Sequence, residues 1–180
     1  GRTPYDLGRF TLDVQNDDFG SDVDEAFTSG IEAVIRVMPG PGVALAGVHR
    51  ALEQRAVREY WSLAVGQEIH TPALLQVTDL EILSRDRRYA GWLYGRLGAE
   101  LALAHSPFLR GGYSLYRAAL TVGSTGPRTE TATLQRYWHA FIRDVLNRRR
   151  LPEDPKGWSV YQVPNHWGVN LDVSQESEMY

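Results

Sequence analysis

Apolar positions in this chain follow two rhythms, a helical one through the middle and an alternating one towards each end. Phe10, Leu12 and Val14 alternate with Thr11, Asp13 and Gln15, the period of a strand. Ser21 or Asp22 can cap a first helix with apolar positions Val23, Phe27, Ile31, Val34 and Met38, and Pro39-Gly40-Pro41-Gly42 ends it. A second helix is predicted over 43–65. Its stripe is Leu45, Val48, Leu52, Ala56, Tyr60 and Leu63, with Arg50, Arg55 and Arg58 mostly opposite. Thr71-Pro72 starts a third, which runs to Leu83.

Residues 86–104 are apolar nearly all round, which predicts a buried central helix. Gly91, Gly95, Gly98 and Ala102 would form its groove for a close neighbour. A short helix over 113–122 and a Gly/Ser loop follow. The last long helix, over 131–150, turns Leu134, Trp138, Phe141, Ile142 and Val145 inward. In the tail, Trp158, Val160 and Gln162 alternate with their neighbours, as do Trp167, Val169, Leu171 and Val173, and Pro164-Asn165 can turn a hairpin between them. The predicted fold is mainly α, a helical bundle of about five helices. It divides into an extended N-terminal arm over 1–20, a helical body over 21–151 and an extended or β-hairpin tail over 152–180.

Composition bounds this picture without redirecting it. With 180 residues and 43% hydrophobic content the chain can bury a core as one domain. It has no cysteine, which excludes disulfides, thiolate metal sites and a cysteine nucleophile. No apolar run approaches the roughly 20 residues of a membrane-spanning helix, and no basic-then-apolar leader opens the sequence, so a soluble protein is expected. Lys156 is the single lysine and lies in a Pro-rich turn, away from any phosphate loop or Schiff-base setting.

Charge changes the picture more. Residues 1–34 hold eight carboxylates against Arg2 and Arg9, and residues 35–150 hold sixteen arginines against nine carboxylates. The last thirty residues are acidic again, so a net charge of −3 conceals a basic middle. On the last predicted helix Arg136, Arg143 and Arg150 project within about 40° of one another, spaced roughly 10 Å apart, with His139 and Asn147 beside them. Arg85, Arg87 and Arg88 form a second cluster. Unpaired guanidinium rows suit a phosphate backbone; the plainer reading is a solvated helix face.

The remaining chemistry is sparse. His49, His70, His105, His139 and His166 have no metal-ligand spacing, and Gly112-Tyr113-Ser114-Leu115-Tyr116 lacks the second glycine of a nucleophile elbow. No cofactor is expected.

Gly1-Arg2-Thr3-Pro4, an extended segment with Arg9-Phe10 and then a helical body resemble the coat proteins of filamentous archaeal viruses. The resemblance implies a non-enzymatic structural subunit of a virion filament. Such a subunit associates with itself or a paralogue and binds nucleic acid, DNA rather than RNA. Its contacts would come from Arg2, Arg9, Arg50, Arg55, Arg58, Arg85, Arg87, Arg88, Arg136, Arg143 and Arg150. The alternative is a soluble helical enzyme or small-ligand-binding domain with a pocket near His49 and His70.

Overall fold

A computed structural model of the chain describes residues 5–16, 29–39, 56–73, 78–103, 112–145 and 156–179. They form one six-stranded antiparallel sheet in sequential order. The strands are β1 (Tyr5–Asn16), β2 (Ser29–Pro39), β3 (Ala56–His70), β4 (Ala90–Leu103), β5 (Gly112–Thr125) and β6 (Trp167–Met179). Two helices accompany them, the one-turn α1 (Leu80–Leu83) and the longer α2 (Thr131–Val145). The expected helical bundle is therefore overturned. What stands of the pattern reading is the strand at Phe10–Gln15, the strand from Trp167 and the helix starting at Thr131.

The register shows why the middle forms strands. Phe10, Ile35, Leu63, Leu97, Leu120 and Leu171 are successive cross-strand partners, one row across all six strands. The next row is Leu12, Ala33, Val65, Gly95, Val122 and Val169. Side chains alternate between faces, so all of these lie on one side. They are uncovered: Leu63 is 58% exposed, Leu97 49% and Leu171 68%. A contiguous apolar face of this extent has no place in water.

The opposite face is polar and small. Its rows include Arg9, Arg36, Ser62, Gly98, Ala119 and Asp172, and Asp13, Glu32, Gly66, Tyr94, Gly123 and Gly168. A cavity of about 520 Å³ on this side is lined from β1, through Arg9 and Thr11, to β6, through Asp172 and Ser174. A single cavity bounded by all six strands requires the sheet to curl around its polar face. Ion pairs lace that face. Arg96 Nη2 lies 2.5 Å from Glu32 Oε1, Arg36 Nη2 2.8 Å from Glu100 Oε1, and Arg117 Nη1 2.6 Å from Glu176 Oε1. The Tyr94 hydroxyl donates to the second Glu32 oxygen over 2.8 Å.

The buried central helix expected over 86–104 is instead β4. Leu93, Leu97, Leu101 and Leu103 point outward, while Trp92, Tyr94, Gly98 and Ala102 point inward beside Arg96 and Glu100, so both faces carry apolar or small residues and the segment reads as apolar nearly throughout. The groove of Gly91, Gly95, Gly98 and Ala102 does not exist as one face, since Gly98 and Ala102 point opposite to Gly91 and Gly95. Gly91 does admit a close neighbour: a side chain there would collide with Thr129 and Thr131.

β3 and β5 finish at the same end of the sheet, where residues 71–73 and 126–145 leave it. Helix α2 belongs to that end and packs on β3 and β4.

Candidate functional site

At the α2 end, polar residues enter the outward face beneath the helix. Gln67 follows Leu63 and Val65 on β3, and Ser124 follows Leu120 and Val122 on β5. The Gln67 amide donates to the Thr129 carbonyl over 2.7 Å and to Thr131 Oγ1 over 3.0 Å. Thr129 and Thr131 hydroxyls lie 2.5 Å apart, and Thr129 Oγ1 also donates to the Gly126 carbonyl. This buried polar seam pins the start of α2 against the sheet.

Behind it sits a small apolar core of Ile69, Tyr89 and Trp158, with Ala132 packed on it. Tyr89 and Trp158 ring centroids are 5.0 Å apart. The Tyr89 backbone donates to Tyr161 and accepts from Val163, which ties the 3-10 turn at Lys156–Ser159 to the β3–β4 connection.

Helix α2 is turned opposite to expectation. Thr131, Gln135 and His139, spaced by four residues, are buried at 0, 1 and 4% exposure. Leu134, Tyr137, Phe141 and Val145, of which three had been expected inside, are exposed, Tyr137 at 70%. Trp138 is half-buried, as expected of an inward residue. On the helical wheel the apolar flank lies roughly 115° from the centre of the buried polar stripe, and Arg136 and Arg143 lie about 90° away on the other side. A helix with polar residues inside and apolar residues outside cannot be facing bulk water on its apolar flank.

Among the described residues, three donors of this helix are buried without an acceptor, Gln135 Nε2, Trp138 Nε1 and Arg143 Nη1. Trp158 Nε1 donates to Gln135 Oε1 over 2.6 Å. That leaves the Gln135 amide nitrogen pointing away from Trp158, one turn from His139. A buried imidazole and an unspent amide donor side by side are the elements of acyl-transfer chemistry. Among the described residues no group of three or more acidic or histidine side chains could hold a metal ion.

The arginines expected to hold phosphate are scattered. Arg9 is exposed on the polar face. Arg85 pairs with Glu81 at 3.7 Å, Arg87 with Asp86 at 3.9 Å, and Arg88 lies over the Tyr161 ring at 5.3 Å, so the second cluster is engaged locally. Arg136 and Arg143 share one edge of α2, Arg136 exposed and Arg143 half-buried. Arg58 lies on β3, its side chain outside the described residues, as are Arg2, Arg50, Arg55, Arg150 and His49 altogether. His70 is on the polar face, 3.2 Å from Glu68, and is not part of the α2 site. His139 had been read only as a neighbour of the arginine row, and Gln135 and Gln67 were not singled out. The signal was present: Thr131, Gln135 and His139 form a polar stripe at the repeat of a helix face.

A family model described as Outer membrane protein LpxR matches residues 2–180. The chain belongs to this family. Neither the curated proteins nor the solved structures yield a match. Membership in the LpxR family overturns the resemblance to viral coat proteins and, with it, the coat function, the nucleic-acid partner, the filament of like subunits and the virion or cytoplasmic location. It also accounts for the exposed apolar rows: in an outer membrane protein such a face meets lipid. No described helix is long and apolar enough to cross a membrane, a criterion blind to spanning by strands.

Proposed function

We propose that this chain forms one wall of an outer membrane β-barrel and carries an ester-hydrolysing site at its rim, acting on lipid A as a 3-O-deacylase. The family's activity as a lipid A 3-O-deacylase supports the reading. The observation that carries it is the inverted helix. Helix α2 presses Gln135 and His139 against the barrel wall and offers Leu134, Tyr137, Phe141 and Val145 to the bilayer. An active site placed between wall and lipid suits a substrate that never leaves the membrane.

Orientation follows from the connections. Barrels of this class have short periplasmic turns and longer external loops. The connections at 71–89 and 126–166 put α2 on the external side, where the lipid A headgroup lies. The apolar flank of α2 then meets acyl chains, and its arginine edge meets the anionic headgroup. This recasts the row at Arg136 and Arg143 as a contact with lipid phosphate.

In the proposed reaction a water oxygen attacks the ester carbonyl while His139 takes the proton. Gln135 Nε2 donates to the oxygen that becomes negative in the tetrahedral intermediate. The carbon–oxygen bond to the sugar breaks, the proton passes to the departing sugar oxygen, and a free fatty acid and a sugar hydroxyl result. The test is mass spectrometry of lipid A after incubation with outer-membrane vesicles carrying the protein. His139→Ala should lower the rate by about 10²–10⁴-fold, and Gln135→Ala by about 10²–10³-fold. Full activity in His139→Ala vesicles rules the site out.

A further inference from the structure

Beside the polar stripe, α2 and the sheet enclose a groove of about 80 Å³. Leu134 and Trp138 form its helix side, and Val14, Ile31 and Ile69 its sheet side. Gln15, Ser29 and Gln67 also border it; the Gln67 amide nitrogen is committed to the Thr129 carbonyl and the Thr131 hydroxyl, and nearly all the surface exposed to the groove is apolar. Along β1 and β2 the groove continues into the outward rows of Leu12 with Ala33 and Phe10 with Ile35. Trp138 stacks on Phe141, centroids 5.7 Å apart, so its ring is held as a wall. Its buried Nε1 finds no acceptor among the described residues.

We propose that this groove grips the first carbons of the acyl chain whose ester lies at Gln135 and His139, with Trp138 as its gripping wall. The proposal rests on the deacylase reading. A methylene takes about the space of a water molecule, roughly 30 Å³, so the groove encloses on the order of three. The remainder of the chain lies on the open outward face among other lipids and gains little from the protein. The enzyme therefore senses the carbons near the ester and is indifferent to total chain length. Among the described residues the indole N–H has no acceptor, and a hydroxyl on the chain would supply one.

The experiment uses the full-length protein in detergent, with synthetic phosphorylated glucosamine disaccharides bearing one acyl ester of two to fourteen carbons. In the wild type, kcat/KM should climb roughly fourfold per methylene over the first few carbons and then level off. Trp138→Ala should flatten the climb, lowering kcat/KM for the longer esters about tenfold more than for the acetyl ester. Ile31→Trp, on a strand position 43% exposed and tolerant of bulk, should fill the groove and bring longer esters down to the acetyl rate. A uniform loss over all lengths, an unchanged climb in both variants, or a wild-type climb that never levels off overturns the proposal. A wild type that cleaves no ester of any length instead overturns the deacylase reading beneath it.

Discussion

Trp158 Nε1 donates to Gln135 Oε1 over 2.6 Å, a bond between the 3-10 turn after α2 and the buried face of α2 itself. An indole can only donate, so it must face the amide oxygen, and the amide nitrogen is left to donate elsewhere. Because Trp158 also packs, tilted, against the Tyr89 ring, the orientation of Gln135 is set by the core beneath it. Trp158→Phe keeps the ring packing and removes the clamp. It should cost about 1–3 kcal/mol from the buried carbonyl left unpaired and lower kcat by about tenfold with little change in KM. Steady-state kinetics beside urea unfolding checks this; a change confined to KM would place Gln135 in binding alone.

The two faces of the sheet predict opposite tolerances. Leu97 stands in the middle of the outward row, and Asn170 on the polar face of β6. Leu97→Arg puts a guanidinium into hydrocarbon at a cost of about 2–4 kcal/mol near the bilayer midplane. Asn170→Arg faces a polar interior and should shift stability by less than about 1 kcal/mol. Unfolding titrations in phospholipid vesicles measure both. Equal costs would mean that the outward row does not meet lipid.

How much of this was legible varies along the chain for physical reasons. Phe10 to Gln15 and Trp167 to Val173 show clean alternation because their inward partners are polar: Thr11, Asp13, Asn170, Asp172. In β3 and β4 the inward positions include Ala64, Gly66, Gly98 and Ala102, so alternation of large with small passes for a continuous apolar run. Such a run mimics a buried helix, and Gly91, Gly95 and Gly98 complete the illusion. Helix α2 was legible in extent but not in facing. The usual rule that apolar residues point inward assumes water outside, and lipid reverses it. The pair Gln135 and His139 could be read as a stripe, but its burial depends on Gln67, Ile69 and Trp158, which lie far away in sequence.

The polar face makes its own prediction. Glu32 binds Arg96 through one oxygen and the Tyr94 hydroxyl through the other, so it joins β2 to β4 across β3. Glu32→Gln removes the charge from an ion pair that is only partly exposed and leaves Arg96 without its carboxylate. Residues in one such network couple by about 0.5–3 kcal/mol. A double-mutant cycle of Glu32→Gln with Arg96→Gln should give a coupling within that range, read from unfolding midpoints. Strict additivity would show that the polar face of the sheet is held by the backbone ladder and not by this pair.

The arginine edge of α2 gives the last prediction, and it separates headgroup recognition from general basicity. Arg136 and Arg143 lie on the flank opposite the apolar residues, about two helical turns apart. If that edge meets lipid phosphate, Arg143→Glu should raise KM for phosphorylated lipid A by about tenfold, the scale of one lost charge-assisted contact. It should leave KM for a dephosphorylated analogue unchanged. Raising ionic strength should narrow the difference between wild type and variant, because contacts near the surface are screened. Arg9→Glu, on the polar face and remote from the rim, is the matched change of charge and should do neither. An equal rise in KM for both lipids would mean that Arg143 supports the helix and does not read the headgroup.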